Sequence, residues 1–77
     1  MDKVLDLFAG SGALGFEAIS RGALEVVFVE LDKNAVVAIE KNAKALDVSA
    51  QVKIHHDKVA AWAKRLRPDG PRFDLVF

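Results

Sequence analysis

Three glycines, Gly10, Gly12 and Gly15, follow the apolar run Val4 to Phe8 with the spacing G-x-G-x-x-G, and an aspartate, Asp6, sits inside that run. Glycine at such positions lets the backbone turn at positive φ, or meet a ligand with no Cβ in between. A helix opening on these glycines offers free N–H groups to a carboxylate or phosphate. Two more carboxylates stand at the ends of strand-like runs, Glu30 closing "EVVFVE" and Asp57 two residues beyond "AQVKIH". Glu30 lies 18 residues beyond Gly12, a placement suited to accepting hydrogen bonds from ribose hydroxyls. Asp57 is suited to accept a hydrogen bond from the exocyclic amine of an adenine. These residue types point to an adenosine-bearing ligand held at a glycine loop.

Charge separates the candidate ligands. A dinucleotide brings a doubly negative pyrophosphate to the loop, where Asp6 repels it: two unit charges ~6 Å apart cost about 3 kcal/mol at an effective dielectric near 20. S-adenosylmethionine brings an ammonium and a sulfonium, which Asp6 attracts. No Gly-Lys-Ser or Gly-Lys-Thr follows the glycines, so a P-loop is excluded. A nicotinamide-dinucleotide domain stays open as a disfavoured alternative.

The elements that must position these groups alternate along the chain. Val4 to Phe8 is short, apolar and glycine-bounded, as a strand buried on both faces is. Ala13, Leu14, Ala18 and Ile19 recur at helical spacing up to Ser20, and Gly22 falls where a left-handed helix stop belongs. "EVVFVE", Glu25 to Glu30, is a second strand. Asp32 can cap a helix whose stripe is Ala35, Val36, Ile39, Ala43 and Leu46. "AQVKIH" alternates as a third strand, and Asp57 can cap a helix carrying Val59, Trp62, Ala63 and Leu66. "RPDGP", Arg67 to Pro71, is turn chemistry, and "FDLVF" begins a fourth strand. Strict alternation predicts an α/β fold with a parallel sheet, right-handed crossovers and the order 3-2-1-4, half of a doubly wound sheet. The ligand crevice then lies at the carboxyl ends of the strands, floored by the glycine loop.

Composition sets the outer bounds. The 77 residues are 52% hydrophobic with 11 basic and 11 acidic side chains, which describes one small globule with no global field toward nucleic acid or an anionic membrane. There is no cysteine for a disulfide or thiolate site. No segment reaches the roughly 20 apolar residues of a membrane span, and "MDKVLDLF" has no secretory pattern, so the chain reads as cytoplasmic.

Other residues invite bland readings. His55 and His56 point to opposite faces of a strand and cannot chelate one ion. Trp62 lies on the apolar stripe of its helix and reads as core. Lys64, Arg65, Arg67 and Arg72 fit a solvated helix end better than a phosphate-binding surface. The edge Phe73 to Phe77 is apolar and is expected to recruit a second copy, by dimerisation or strand exchange. A non-catalytic folding or self-assembly unit is therefore a second reading of the chain.

"VLDLFAGSGALGFEAISRGA", Val4 to Ala23, followed by "VVFVELD" and "FDLVF", resembles the Rossmann-like S-adenosylmethionine-dependent methyltransferases. It is most similar to the bacterial family that methylates the exocyclic N2 of a guanine in small-subunit ribosomal RNA. The likeness runs over nearly all of the chain. It implies a three-layer Rossmann-like half with S-adenosyl-L-methionine as cofactor and RNA as the parent protein's partner. The implied cofactor-binding set is Asp6, Phe8, Ala9, Gly10, Ser11, Gly12, Glu30, Leu31, Asp57 and Lys58. Within it the glycine loop wraps the methionine part, Glu30 holds the ribose and Asp57 lies by the adenine. The family's catalytic loop, Asp-Pro-Pro-Tyr or Asn-Pro-Pro-Tyr after strand 4, does not occur in these 77 residues. The resemblance thus implies the cofactor-binding part of a methyltransferase domain, residues 1–77, with no catalytic residue and no metal ligand, inactive alone.

Overall fold

In a computed structural model, residues 3–70 and 72–77 are described. Met1, Asp2 and Pro71, the last read as the end of the "RPDGP" turn, lie outside the described residues. The elements run β1 (Lys3–Leu7), α1 (Ala13–Ser20), β2 (Glu25–Glu30), α2 (Lys33–Ala45), a 3-10 turn (Ser49–Gln51), β3 (Val52–His56), α3 (Val59–Lys64) and β4 (Leu75–Val76). The four strands form one parallel sheet in the expected order β3-β2-β1-β4.

The period-2 pattern of the strands divides the core into two layers. Val4, Val26 and Phe28 face α1 and α2, where they meet Ala18 and Ile39. Leu5, Val27 and Val29 face the other way, onto Trp62 of α3. β2 has partners on both sides from Val26 to Val29, so its run Val26, Val27, Phe28 and Val29 is buried throughout. Phe28 and Ile39 are fully buried, each contributing about 1.5–3 kcal/mol by removal from water. Gly15 sits where α1 presses on β2: a Cβ there would come 2.3 Å from Phe28 Cε1. The third glycine is therefore a packing requirement of the helix.

Several boundaries shift from the sequence reading, for local reasons. β1 begins at Lys3 and stops at Leu7, because Phe8 turns out of the strand with φ 55°. Ala50 and Gln51 belong to the 3-10 turn, and the Gln51 side chain donates to the Ala23 carbonyl at 3.2 Å. β3 consequently starts at Val52 and runs through His56. Only Leu75 and Val76 of "FDLVF" form strand, although Asp74 and Phe77 N–H groups still bond the Lys3 and Leu5 carbonyls at 2.8 and 2.9 Å. Leu46 falls on the cap of α2 and is largely exposed, off the buried stripe of Val36, Ile39 and Ala43.

The two helix caps had different outcomes. Asp32 caps α2 as expected, its Oδ1 accepting the Asn34 N–H at 2.8 Å. Asp57 does not cap α3: Lys58 holds the N-cap position and gives no side-chain bond. That helix is also shorter than expected, with Trp62 buried but Ala63 and Leu66 exposed.

Candidate functional site

The carboxyl ends of β1, β2 and β3 converge on one edge of the sheet, as parallel strands must. Asp6, on β1, points to the α1 side and is 2% exposed; its Oδ2 accepts the Gly15 N–H at 3.1 Å. The aspartate therefore lies beneath the first turn of α1, where a negative charge complements the helix dipole. Burial pushes its carboxyl above the ordinary carboxylate value, the Gly15 N–H pulls the other way, and the Glu30 charge adds to the rise.

Between β1 and α1 the chain doubles back. The Gly12 N–H donates to the Ala9 carbonyl at 2.9 Å, and Gly12 itself takes φ 88°. A side chain there is excluded twice over, by that backbone angle and by Phe16, whose ring would lie 2.7 Å from a Cβ. The Asn42 amide of α2 donates to the Ser11 carbonyl at 3.2 Å and anchors the loop from the other side.

Glu30 joins this loop to the next one. Its Oε1 accepts the Gly10 N–H at 2.7 Å and its Oε2 accepts the Asp32 N–H at 2.9 Å. The neighbouring strand is tied in by backbone, since the Asp57 N–H donates to the Glu30 carbonyl at 3.0 Å. His56 Nε2–H donates to the Leu31 carbonyl at 2.9 Å, which holds the Leu31 turn against β3. His55 projects to the opposite face, its ring 6.1 Å from that of Trp62. The two imidazoles diverge as adjacent strand residues do.

These ties leave a cavity of about 640 Å³ over the strand ends. Phe8, Leu31, Val59 and Ala60 wall it, and Glu30, Asp32, Asp57 and Lys58 supply its polar rim. Phe8 is 79% exposed, an aromatic ring presented to solvent at the mouth. Asp57 has both oxygens engaged: Oδ1 accepts the Lys58 N–H at 2.8 Å and Oδ2 pairs with Arg65 Nη2 at 2.5 Å. A second hollow of about 440 Å³ lies beside α3 at the other ends of the strands. Its cations are already paired, Lys3 and Lys53 with Glu25 at 3.7 and 3.5 Å and Arg65 with Asp57.

Of the residues singled out from sequence, Phe8, Glu30, Leu31, Asp57 and Lys58 share the cavity. Gly10 reaches it through Glu30, whereas Asp6 is sealed beneath the loop. Asp32, Val59 and Ala60 also line it, beyond the cofactor-binding set that the resemblance implies. The sequence reading gives Asp32 only a helix-cap role, yet its place directly after "VEL" puts it at the same strand end. Nothing in the spacing signalled Asn42 or Arg65.

The family described as "Conserved hypothetical protein 95" matches over residues 1–77. The chain belongs to that family. Ribosomal RNA small subunit methyltransferase D of Haemophilus influenzae is 43% identical over 76 residues, covering 97% of this chain and 39% of that protein. Ribosomal RNA large subunit methyltransferase I of Aeromonas salmonicida is 36% identical over 76 residues, covering 96% of this chain and 19% of that one. Among solved structures, a conserved hypothetical protein of Streptococcus pyogenes is similar with a TM-score of 0.88 and 37% identity, over 97% of this chain and 45% of that one. The resemblance carried by Val4 to Ala23 is thus borne out by relatives that are ribosomal RNA methyltransferases. The chain spans less than half the length of each of them.

Proposed function

We propose that the 77 residues form the cofactor-binding part of an S-adenosylmethionine-dependent methyltransferase acting on ribosomal RNA, with the exocyclic N2 of a guanine as acceptor. RNA as partner rests on the resemblance and on the relatives' names, and guanine N2 as target on the resemblance alone. The observation that carries the cofactor is the occupancy of the loop amides. Gly10 and Gly15 N–H groups are both given to carboxylates, Glu30 and Asp6. A pyrophosphate would have to displace or face these anions, whereas an ammonium or sulfonium is drawn to them. The cavity beside the loop has the size of a small-ligand site and carries apolar walls with an acidic rim, as a nucleoside requires.

In this reading Glu30 accepts from ribose hydroxyls with the lone pairs left by Gly10 and Asp32. Leu31 and Val59 flank the purine, and Asp57 accepts from its amine. Phe8 covers the mouth, and Asp6 sets the loop's shape and charge from below. When bound, the cofactor supplies a methyl group made electrophilic by its sulfonium. The residues here bind and orient it; no group that holds the acceptor nitrogen is assigned among them, and the chain alone is expected to transfer no methyl.

Calorimetric titration with S-adenosylhomocysteine tests the reading. Saturable binding that is lost in Glu30→Ala, with NAD giving no heat, supports it. Binding of NAD in preference would replace it with the oxidoreductase alternative, and absence of any binding by a folded chain would favour the folding or assembly reading.

A further inference from the structure

Arg65 comes to Asp57 from outside the cavity. It follows the last residue of α3, eight residues beyond Asp57, and its Nη2 lies 2.5 Å from Oδ2. The guanidinium does not line the cavity that Asp57 faces; with Trp62 it lines the hollow on the far side. The backbone N–H of Lys58 fixes the other oxygen at 2.8 Å. A carboxylate otherwise turns broadly about its last torsion. Here both oxygens are gripped from the protein side, and each keeps a lone pair for a donor in the cavity.

We infer that Arg65 is a positioning residue that aims the Asp57 carboxylate at the 6-amino group of a purine, and so sets the site's preference for adenine over a 6-oxo purine. The inference rests on the cofactor reading above. A 6-amino group donates to the fixed carboxylate. A 6-oxo group places a second acceptor against it, which leaves both oxygens without a proton between them. Without Arg65 the carboxylate is held at one oxygen only and can turn away, and the penalty on the 6-oxo purine falls with the reward for the 6-amino one.

The test compares two ligands on one protein, S-adenosylhomocysteine and its deaminated counterpart S-inosylhomocysteine, titrated into the wild type, Arg65→Met, Arg65→Lys and Asp57→Asn. Because the readout is a ratio taken on the same sample, any loss of folded protein cancels. The wild type should favour the adenine ligand by about tenfold or more, as sites built around a substrate N–H do. Arg65→Met, which keeps an apolar stem, should cut that ratio about fivefold or more, chiefly through weaker adenine binding. Arg65→Lys should keep part of it, and Asp57→Asn, whose amide can donate as well as accept, should relax it. An unchanged ratio in Arg65→Met overturns the inference while leaving the cofactor reading intact, as does a wild type that binds both ligands equally. A wild type that binds neither removes the cofactor reading and this inference together.

Discussion

The carboxylate of Glu30 grips the N–H of Gly10 at 2.7 Å, so the end of β2 holds the loop that leaves β1. Its second oxygen holds Asp32, which opens α2. One side chain thus sets the relative position of two loops. Glu30→Ala should loosen both and weaken S-adenosylhomocysteine binding about tenfold or more, since hydrogen bonds to a charged group contribute about 1.5–3 kcal/mol each. Glu30→Gln should retain one of the two ties and fall between. Calorimetry on the three proteins gives the order, and equal affinities would remove Glu30 from the site.

Asp6 predicts a pH dependence with a definite sign. Burial raises its carboxyl in the folded chain. The folded state therefore holds the proton to higher pH than the unfolded state, and the contribution of Asp6 to stability, full below the ordinary value near ~4, is lost as pH rises through the folded value. Asp6→Asn keeps an oxygen for the Gly15 N–H without the charge. Relative to wild type, it should gain stability as pH rises above the ordinary carboxylate value near ~4, read by urea unfolding at several pH values. Its affinity for S-adenosylmethionine should drop more than its affinity for the neutral-sulfur S-adenosylhomocysteine. A stability difference that does not vary with pH would contradict this account.

Phe8 holds φ 55° while 79% exposed, a conformation costly to a bulky residue and not repaid by burial. Phe8→Gly relieves about 1–2 kcal/mol of strain and concedes about 0.5–1 kcal/mol to the freer unfolded chain. Its unfolding midpoint should stay level or rise while ligand affinity falls. A parallel loss of both would make Phe8 an ordinary packing residue.

Gly15→Ala should act on the fold first. Its methyl meets the Phe28 ring at 2.3 Å, in a layer with no room to yield. Overpacking of about 1–3 kcal/mol outweighs the helix propensity that alanine adds, about 0.5–1 kcal/mol. A melting temperature several degrees lower is expected, and an unchanged one would mean that α1 is free to shift.

The β4 edge bears on self-association. Val76 and Phe77 are exposed beside a strand bonded only to β1. Light scattering at rising concentration should show a dimer that Val76→Lys abolishes, because charge on an edge strand opposes pairing. A monomer throughout would exclude recruitment through this edge.

The sheet order was readable because each strand and helix differs in apolar period, and the chirality of parallel crossovers leaves few topologies. Glu30 and Asp57 were readable as neighbours for the same reason, since both follow strands that end on one edge. The backbone of Phe8 was not readable; a left-handed phenylalanine defies local preference and is imposed by the turn to Gly12. The Arg65 to Asp57 pair was hidden because a contact between a strand end and the far end of the following helix depends on helix length, and α3 proved shorter than its apolar pattern. Leu46 misled for a related reason, lying on the stripe by periodicity but beyond the last packed turn.

The partner of β1 on its open side arrives from 71 residues away, where Asp74 Oδ2 accepts the Lys3 N–H at 2.8 Å. Closing so large a loop carries a larger entropic cost than the nearer pairings of β1 with β2 and of β2 with β3. The cavity over the strand ends is lined by residues at or just beyond the ends of those three strands and by the first turn of α3, and takes nothing from β4. Amide hydrogen exchange should therefore find β4 opening well before the cavity does, in a molecule whose hollow over the first three strands persists while its fourth strand comes and goes.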